Sequence, residues 1–524
     1  MTSYSRRYVF VLVVLVVLVV LLMTMPGTLV HAQHTPTYTE PQRPQFHFSP
    51  AMNWMNDPNG LVYYDGEYHL FYQHNPYGIQ WGHMSWGHAV STDLVHWTHL
   101  PVAIPETDGV MAFSGSAVVD HNNTSGFGTA DNPPMVAIYT GHQSDNQSQH
   151  IAYSTDRGRT WTLYEGNPVL DIDRANFRDP NVLWYAPEEK WVMVVALPND
   201  HKVQFYESSN LKEWSLMSTF GPAGATSGIW ECPDLFQLPV DGNPNDRRWV
   251  LQVDLNPGSI AGGSGGQYFV GVFDGTTFTR ADAAEPGEAN WVDYGKDFYA
   301  AIDWANLPDA DGRHIWVGWM NNWQYAQDIP TYPWRSAQSI PRTLALRSTG
   351  DGVRLVQQPV RELHALRDIH NRIADRSIPE GTHLLGSEGI TGRAMEIVAE
   401  FEVGTADEVG LKVRMGGTEE TLVAYDVRAE EVFVDRSRSG ADAFSAAFAG
   451  RHDGPLPLEN GRVKLHLFVD WSSVEVFANE GHTVITDRIF PAPERQDVAL
   501  YAEGGAARLV AMDVWNLRSI WRQR

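Results

Sequence analysis

The chain has 524 residues, 43% hydrophobic and 19% charged, a mix that buries a sizeable core and excludes wholesale disorder. Asp and Glu outnumber Lys and Arg 63 to 38, for a formal net charge of -25, which repels phosphate backbones and argues against a nucleic-acid partner. The single cysteine, Cys232, excludes an internal disulfide and any Cys-x-x-Cys metal or redox pair.

At the N-terminus, Arg6 and Arg7 precede an apolar run from Val9 to Met23, broken by Pro26 and Gly27. Val30-His31-Ala32 places small residues where a signal peptidase reads. Residues 1–32 therefore read as a secretory signal peptide cleaved after Ala32. A retained anchor is the alternative, but the run is short for a span. The expected mature chain is secreted, extracellular and free of the membrane. Asn122, Asn123 and Asn146 each open an N-x-S/T sequon.

Five segments then recur at roughly 60-residue intervals. They open at Asn56-Asp57-Pro58, Phe113-Ser114-Gly115, Arg178-Asp179-Pro180, Glu231-Cys232-Pro233 and Phe298-Tyr299-Ala300. Each heads a short strand and is followed by a second apolar strand, such as Trp191–Leu197 or Ile315–Met320. Four repeats carry a turn rich in Asp, Asn or Gly that closes on an aromatic: Trp97, Trp161, Trp214 or Phe278. Sixteen of the 19 Trp lie at or before Trp334, so the aromatic-rich sheets, and any surface for stacking sugar faces, belong to the repeats. The predicted fold is all-β: a five-bladed β-propeller over 44–346. Two stacked sandwiches would leave the five-fold recurrence unexplained. Residues 347–377 read as a linker, with a short helix possible over Val353–Leu366. Alternating strands over 378–524, such as Val463–Asp470, predict a C-terminal β-sandwich.

Innermost propeller strands converge on one axis, so the opening motifs face a common funnel. Three carry carboxylates: Asp57, Asp179 and Glu231. One such acid beside a proline is an ordinary turn residue; three at the heads of three repeats suggest chemistry. Two carboxyl groups, one protonated and one ionised, suffice to cleave a glycosidic bond. The apolar neighbours Trp230 and Cys232 favour a protonated Glu231, whereas Asn56 and Asn59 can hold Asp57 ionised. Arg178 adjoins Asp179, but consecutive strand residues point to opposite faces unless a turn brings them together. Six histidines crowd residues 69–99, yet no metal-ligand motif such as H-E-x-x-H occurs, and no metal or other cofactor is expected. No G-x-S-x-G elbow supports a serine hydrolase.

The motifs Trp54-Met55-Asn56-Asp57-Pro58-Asn59-Gly60, Phe113-Ser114-Gly115-Ser116, Arg178-Asp179-Pro180 and Trp230-Glu231-Cys232-Pro233 together resemble glycoside hydrolase family 32. That family holds invertases, inulinases and levanases. Trp81-Gly82-His83-Met84-Ser85-Trp86-Gly87-His88 and Pro333-Trp334-Arg335-Ser336 are similar to its exo-acting microbial levanases and exo-inulinases. The resemblance implies a propeller followed by a sandwich and a retaining hydrolase that takes terminal β-fructofuranosyl units from fructans or sucrose. It implies Asp57 as nucleophile, Glu231 as acid/base and Asp179 as stabiliser of the transition state. It further implies a fructosyl subsite lined by Asn56, Gln73, Trp81, Ser114, Arg178 and Trp319, with Trp54 and Phe113 as adjacent walls. One departure stands in the C-terminal module, where Trp471 occupies the position that is usually Arg. Two other readings stay open. One is a non-catalytic sugar-binding propeller. The other is a sialidase, suggested by the Ser154-Thr155-Asp156-Arg157-Gly158-Arg159-Thr160-Trp161 turn. Linkage preference and oligomeric state are not encoded in these motifs.

Overall fold

The computed structural model describes residues 36–281, 287–308, 310–350 and 352–521; the expected signal peptide lies outside them. Each repeat forms an antiparallel sheet, counted from the axis outward. The first blade is Asn53–Tyr64, Glu67–Asn75, Ser85–Ser91 and Thr98–Ile104. The second is Met111–Val119, Met135–Gln143, Asn146–Ser154 and Thr162–Leu163. The third is Arg178–Tyr185, Lys190–Leu197, Lys202–Ser208 and Ser215–Phe220. The fourth is Ile229–Val240, Asn243–Asn256, Gly265–Phe273 and Phe278–Arg280. The fifth is Tyr299–Asp303, His314–Trp319, Arg342–Thr349 and Gly352–Pro359.

Middle strands such as Lys190–Leu197 are covered on both faces by neighbouring blades, which is why they read as unbroken apolar runs instead of alternating ones. The expected turns form as side-chain caps. Asp93 accepts from the backbone N–H of Val95 and His96, Asp156 from that of Thr160, Asn210 from those of Lys212 and Glu213, and Asp274 from those of Thr276 and Thr277. Trp161 and Trp214 then donate their indole N–H to Gly158 and Leu211 carbonyls inside the same turns. The sialidase-like Ser154–Trp161 stretch is thus one of several equivalent turns. The ring closes where Ala305 donates to the Leu61 carbonyl and Tyr63 to the Ala305 carbonyl, both at 2.9 Å.

All five innermost strands slip register near their opening motif. The shifts fall between Met55 and Pro58, Ala112 and Gly115, Arg178 and Asn181 (opposite Ala196 and Val194), Glu231 and Asp234, and Tyr299 and Ile302. Asp179, Cys232 and Ala300 take left-handed backbone angles there, with φ of 65°, 46° and 54°. A β-bulge puts two residues opposite one and re-aims their side chains. This is how Arg178 and Asp179, neighbours in sequence, come within 4.0 Å of each other.

Gly352–Pro359 lies within 347–377 and is the outer strand of the fifth blade, paired residue for residue with Arg342–Thr349. The helix expected over Val353–Leu366 is confined to a 3₁₀ turn at Arg361–Leu366; the upstream half finds a strand partner that outweighs local propensity. The sandwich follows as two six-stranded sheets. Their facing sides enclose a core that includes Ile397, Leu411, Val434, Leu467 and Leu500.

Propeller and sandwich meet across buried charges. His47 places one ring nitrogen 2.8 Å from Asp470 and the other 2.8 Å from Glu475. Arg342 bridges Glu475 and Asp293, and Arg436 binds Asp297. Asp470 also accepts from the backbone N–H of Gln45, Phe46 and Trp471. Trp471 lies beneath the Arg393 guanidinium, 3.8 Å from its ring centroid, so a cation still stacks where the motif departs.

Burial opposes a charged His47, yet the hydrogen bonds to Asp470 and Glu475 prevail and its pKa is raised. Its contribution to stability is therefore full below the unfolded value near 6.5 and fades as pH rises through the higher folded value. His47→Gln is expected to lower stability at pH 6 by on the order of 3 kcal/mol. The deficit should narrow as the medium turns alkaline, as followed by thermal denaturation of both proteins across pH. A deficit constant with pH would contradict the charge pairing.

Candidate active site

The bulged motifs converge at one end of the propeller axis. Asp57 accepts from the Ser114 hydroxyl at 2.6 Å on one oxygen and from the Asn56 amide at 3.0 Å on the other. Asp179 accepts from the Cys232 backbone N–H at 3.0 Å, while its own N–H donates to Thr140 at 2.9 Å. Arg178 donates through Nε to one oxygen of Glu231 at 2.9 Å, and its Nη2 lies 2.9 Å from the same oxygen in the ion pair. The second Glu231 oxygen accepts a short bond from the Tyr299 hydroxyl. The Cys232 thiol lies 3.8 Å from Asp57 and 3.7 Å from Asp179. Residues from all five blades thus enter one connected cluster.

The electrostatics differ from the sequence expectation in two respects. Glu231 is not in an apolar setting: Arg178 and Tyr299 occupy its oxygens. Asn59 does not touch Asp57, because its amide N–H donates to the Pro58 carbonyl and its oxygen accepts from Gln73. Burial pushes Asp57 up to about 6, against the hydrogen bonds from Ser114 and Asn56, with the nearby Glu231 adding to the rise. Asp179 also sits above the usual carboxylate range because burial outweighs the pull of Arg178. Burial works against the charge on Arg178, but Glu231 and Asp179 together push its pKa up. The Cys232 thiol is raised by burial and by the two carboxyls beside it.

The remaining expected residues form backing, support and rim. Trp54 is fully buried, donates its indole N–H to Asn56 at 2.6 Å, and packs on Trp319 and Trp323. Trp319 is equally buried, and its indole N–H has no partner among the described residues. Gln73 is spent on Asn59 and the Ala112 carbonyl, so it braces the bulge behind Asp57. Phe113 stacks on His142 at 4.4 Å and meets Trp81 edge-on at 5.9 Å. Trp81, 39% exposed, stands at the open rim. Below the acids the axis is nearly filled. Pro58, Pro180, Pro233, Cys232 and Ile302 border a small cavity of about 10 Å³ there.

Sequence reasoning assigned no role to three residues here. Tyr299 opens the fifth repeat, and that equivalent position was the available signal. Asp254 pairs in register with Glu231 and is held by Gln252 at 2.7 Å. Thr140, on the second strand of blade two, braces Asp179. Neither Asp254 nor Thr140 falls in an opening motif. Among the described residues no group of His, Cys, Asp or Glu has a metal-binding arrangement.

Holding Asp57 ionised in this site opposes folding, because its folded pKa exceeds the unfolded one. Stability from this group falls as pH rises from about 4 through about 6. Asp57→Asn should therefore melt higher than the parent at pH 7 and above, by roughly 1–3 kcal/mol, and the gain should vanish below pH 4. Calorimetry at the two pH values checks both halves.

The model of the glycosyl hydrolases family 32 N-terminal domain matches residues 47–359, and that of the family 32 C-terminal domain matches 362–516. A levanase from Bacillus subtilis is 53% identical over 92% of this chain and 72% of its own length. An extracellular exo-inulinase from Aspergillus niger is 46% identical over 93% of this chain and 97% of its own. The crystal structure of an exo-inulinase from Aspergillus awamori superposes with a TM-score of 0.86 at 44% identity, covering 92% of this chain and 100% of that one. A β-fructofuranosidase from Schwanniomyces occidentalis, complexed with fructosyl-erythritol, gives a TM-score of 0.82 at 32% identity over 91% and 98%. With both domain models matching in order across nearly all of the described residues, the chain belongs to glycoside hydrolase family 32.

Proposed function

We propose that this chain is an exo-acting fructan hydrolase that releases terminal β-fructofuranosyl units from levan, inulin or sucrose with retention at the anomeric carbon. The observation that carries the reading is the convergence of Asp57, Asp179 and Glu231 at the head of a funnel, with Arg178 beside the last two.

In the first step an Asp57 oxygen attacks C2 of the fructosyl unit. The bond from C2 to the leaving oxygen breaks, and Glu231 gives that oxygen its proton. In the second step water adds to C2, Glu231 accepts its proton, and the ester to Asp57 breaks. With a pKa of about 6, Asp57 is ionised and nucleophilic near neutral pH. Asp179, held by the Cys232 N–H, binds fructosyl hydroxyls and stabilises the developing cation at C2. Ser114 and Asn56 aim the nucleophile. Trp54 and Trp319, fully buried, back the subsite from behind; Phe113 and Trp81 line its open side. The substrate is a neutral sugar chain, and the protein acts outside the cell, as the N-terminal signal and the extracellular relatives suggest.

Asp57→Asn and Glu231→Gln should each lower kcat by at least about a thousandfold while the fold is kept. A slow fructosyl substrate should label Asp57, as read by peptide mapping. Near-normal rates in either variant, or a label elsewhere, would refute the assignment. Chromatography of products from levan, inulin and sucrose should show fructose without intermediate oligomers from the two polymers.

Ser114→Ala removes a hydrogen bond that favours the Asp57 carboxylate. The acidic limb of kcat/KM should consequently move to higher pH than in the parent. An unmoved limb would separate that limb from Asp57.

A further inference from the structure

The five innermost strands continue past the funnel. Beyond Asp57, Ser114, Asp179, Glu231 and Tyr299 they reach Leu61, Ser116, Asn181, Leu235 and Ile302. These continuations line a second cavity of about 590 Å³ on the same axis. The proline layer of Pro58, Pro180 and Pro233 separates the two hollows. The second cavity therefore opens on the opposite face of the propeller and is not part of the funnel.

Its walls combine two kinds of surface. Trp184 and Trp249, both half-buried, bring indole rings to the lining. Polar groups converge beside them. His314 is 3.0 Å from Asp303, and Gln237 accepts from Arg247 at 3.0 Å. Asn181 reaches the buried Asp234 carboxylate at 3.0 Å. A neighbouring hollow of about 860 Å³, lined by Tyr63 and Tyr64, shares Asn306, Leu307 and Pro308 with this cavity. The concave surface is thus longer than one sugar ring.

We propose that this far-face cavity is a second carbohydrate site that holds an internal segment of a fructan chain. Ligand sites typically span about 300–1,000 Å³, with apolar walls and a few convergent polar groups, and this cavity matches. An anion is disfavoured because Arg313 is neutralised by Asp311 and Glu362 and the Asp303 carboxylate stands in the same wall, which leaves Arg247, bonded only to the neutral Gln237, as a hydrogen-bond donor. A purely apolar ligand would take solvent from the remaining lone pairs and N–H groups of Asp303, His314 and Asn181. A neutral polyhydroxylated chain satisfies both kinds of surface. Anchoring the polymer on one face raises its effective concentration at the funnel on the other. The choice of fructan as occupant rests on the proposed function; the site itself rests on the cavity.

The test uses the full chain with its funnel disabled by Asp57→Asn and Asp179→Ala. In native gels containing levan or inulin, this variant should still be retarded relative to a gel containing a galactan. Adding Trp184→Ala and Arg247→Ala should weaken that retardation at least about tenfold. Because Trp184 also packs on Trp191, Gln237→Ala with Arg247→Ala serves as a second variant confined to the polar side, and it should weaken binding in the same direction. In the otherwise unaltered enzyme, both cavity variants should leave kcat/KM on sucrose within about twofold and lower the rate on dilute polymer. Loss of all retardation once the funnel is disabled, or retardation indifferent to both cavity variants, overturns the proposal. A parent enzyme that releases no fructose would instead overturn the proposed function, so the two failures are distinguishable.

Discussion

Everything at the head of the axis depends on one arginine. Two buried carboxyls, a half-buried third and a buried tyrosine crowd a space that water only partly reaches, and Arg178 is the cation bound directly to the third. It pairs with Glu231, to which its Nε donates, and lies 4.0 Å from Asp179. Asp57 receives only neutral donors. The site therefore separates its acids by environment: one beside a full positive charge, one held by a backbone amide, one left to hydroxyl and amide dipoles. Such divergence lets chemically similar groups take different parts in one reaction.

The arginine reaches its place because the strands are irregular. In a regular strand Arg178 and Asp179 would face opposite sides. The left-handed turn of Asp179, the matching turn at Cys232 and the slipped pairing beside Tyr299 direct consecutive side chains into the same funnel. These bulges cost ladder hydrogen bonds. Thr140, which accepts from the Asp179 N–H, recovers one of them.

Much of this was legible in the chain itself. Turn residues that recur with a closing aromatic encode blades directly, because Asx-type caps are local chemistry. Prolines after Asp57, Asp179 and Cys232 mark where the ladder slips register. The environment of each acid was less legible. Reading Trp230 and Cys232 as the surroundings of Glu231 failed because partners across the axis, Arg178 and Tyr299, lie 53 and 68 positions away. Asn59 was misread for a related reason: it is near Asp57 in sequence, but the bulge turns it toward Gln73. Val353–Leu366 illustrates the same limit, since only pairing with the strand Arg342–Thr349 makes its upstream half β.

The charged seam between propeller and sandwich bears on how portable the catalytic module is. His47, Arg342, Asp293 and Asp297 belong to the propeller half of the chain, yet Asp470, Glu475, Thr486 and Arg436 complete their bonding. A chain shortened after Pro359 would keep every blade and every acid of the funnel while leaving these groups without their counterions. Two modules that look like beads on a string are, in assembly terms, co-dependent halves. Recombination between relatives would have to exchange Glu475 together with Arg342 and His47, so the natural unit of inheritance is the pair.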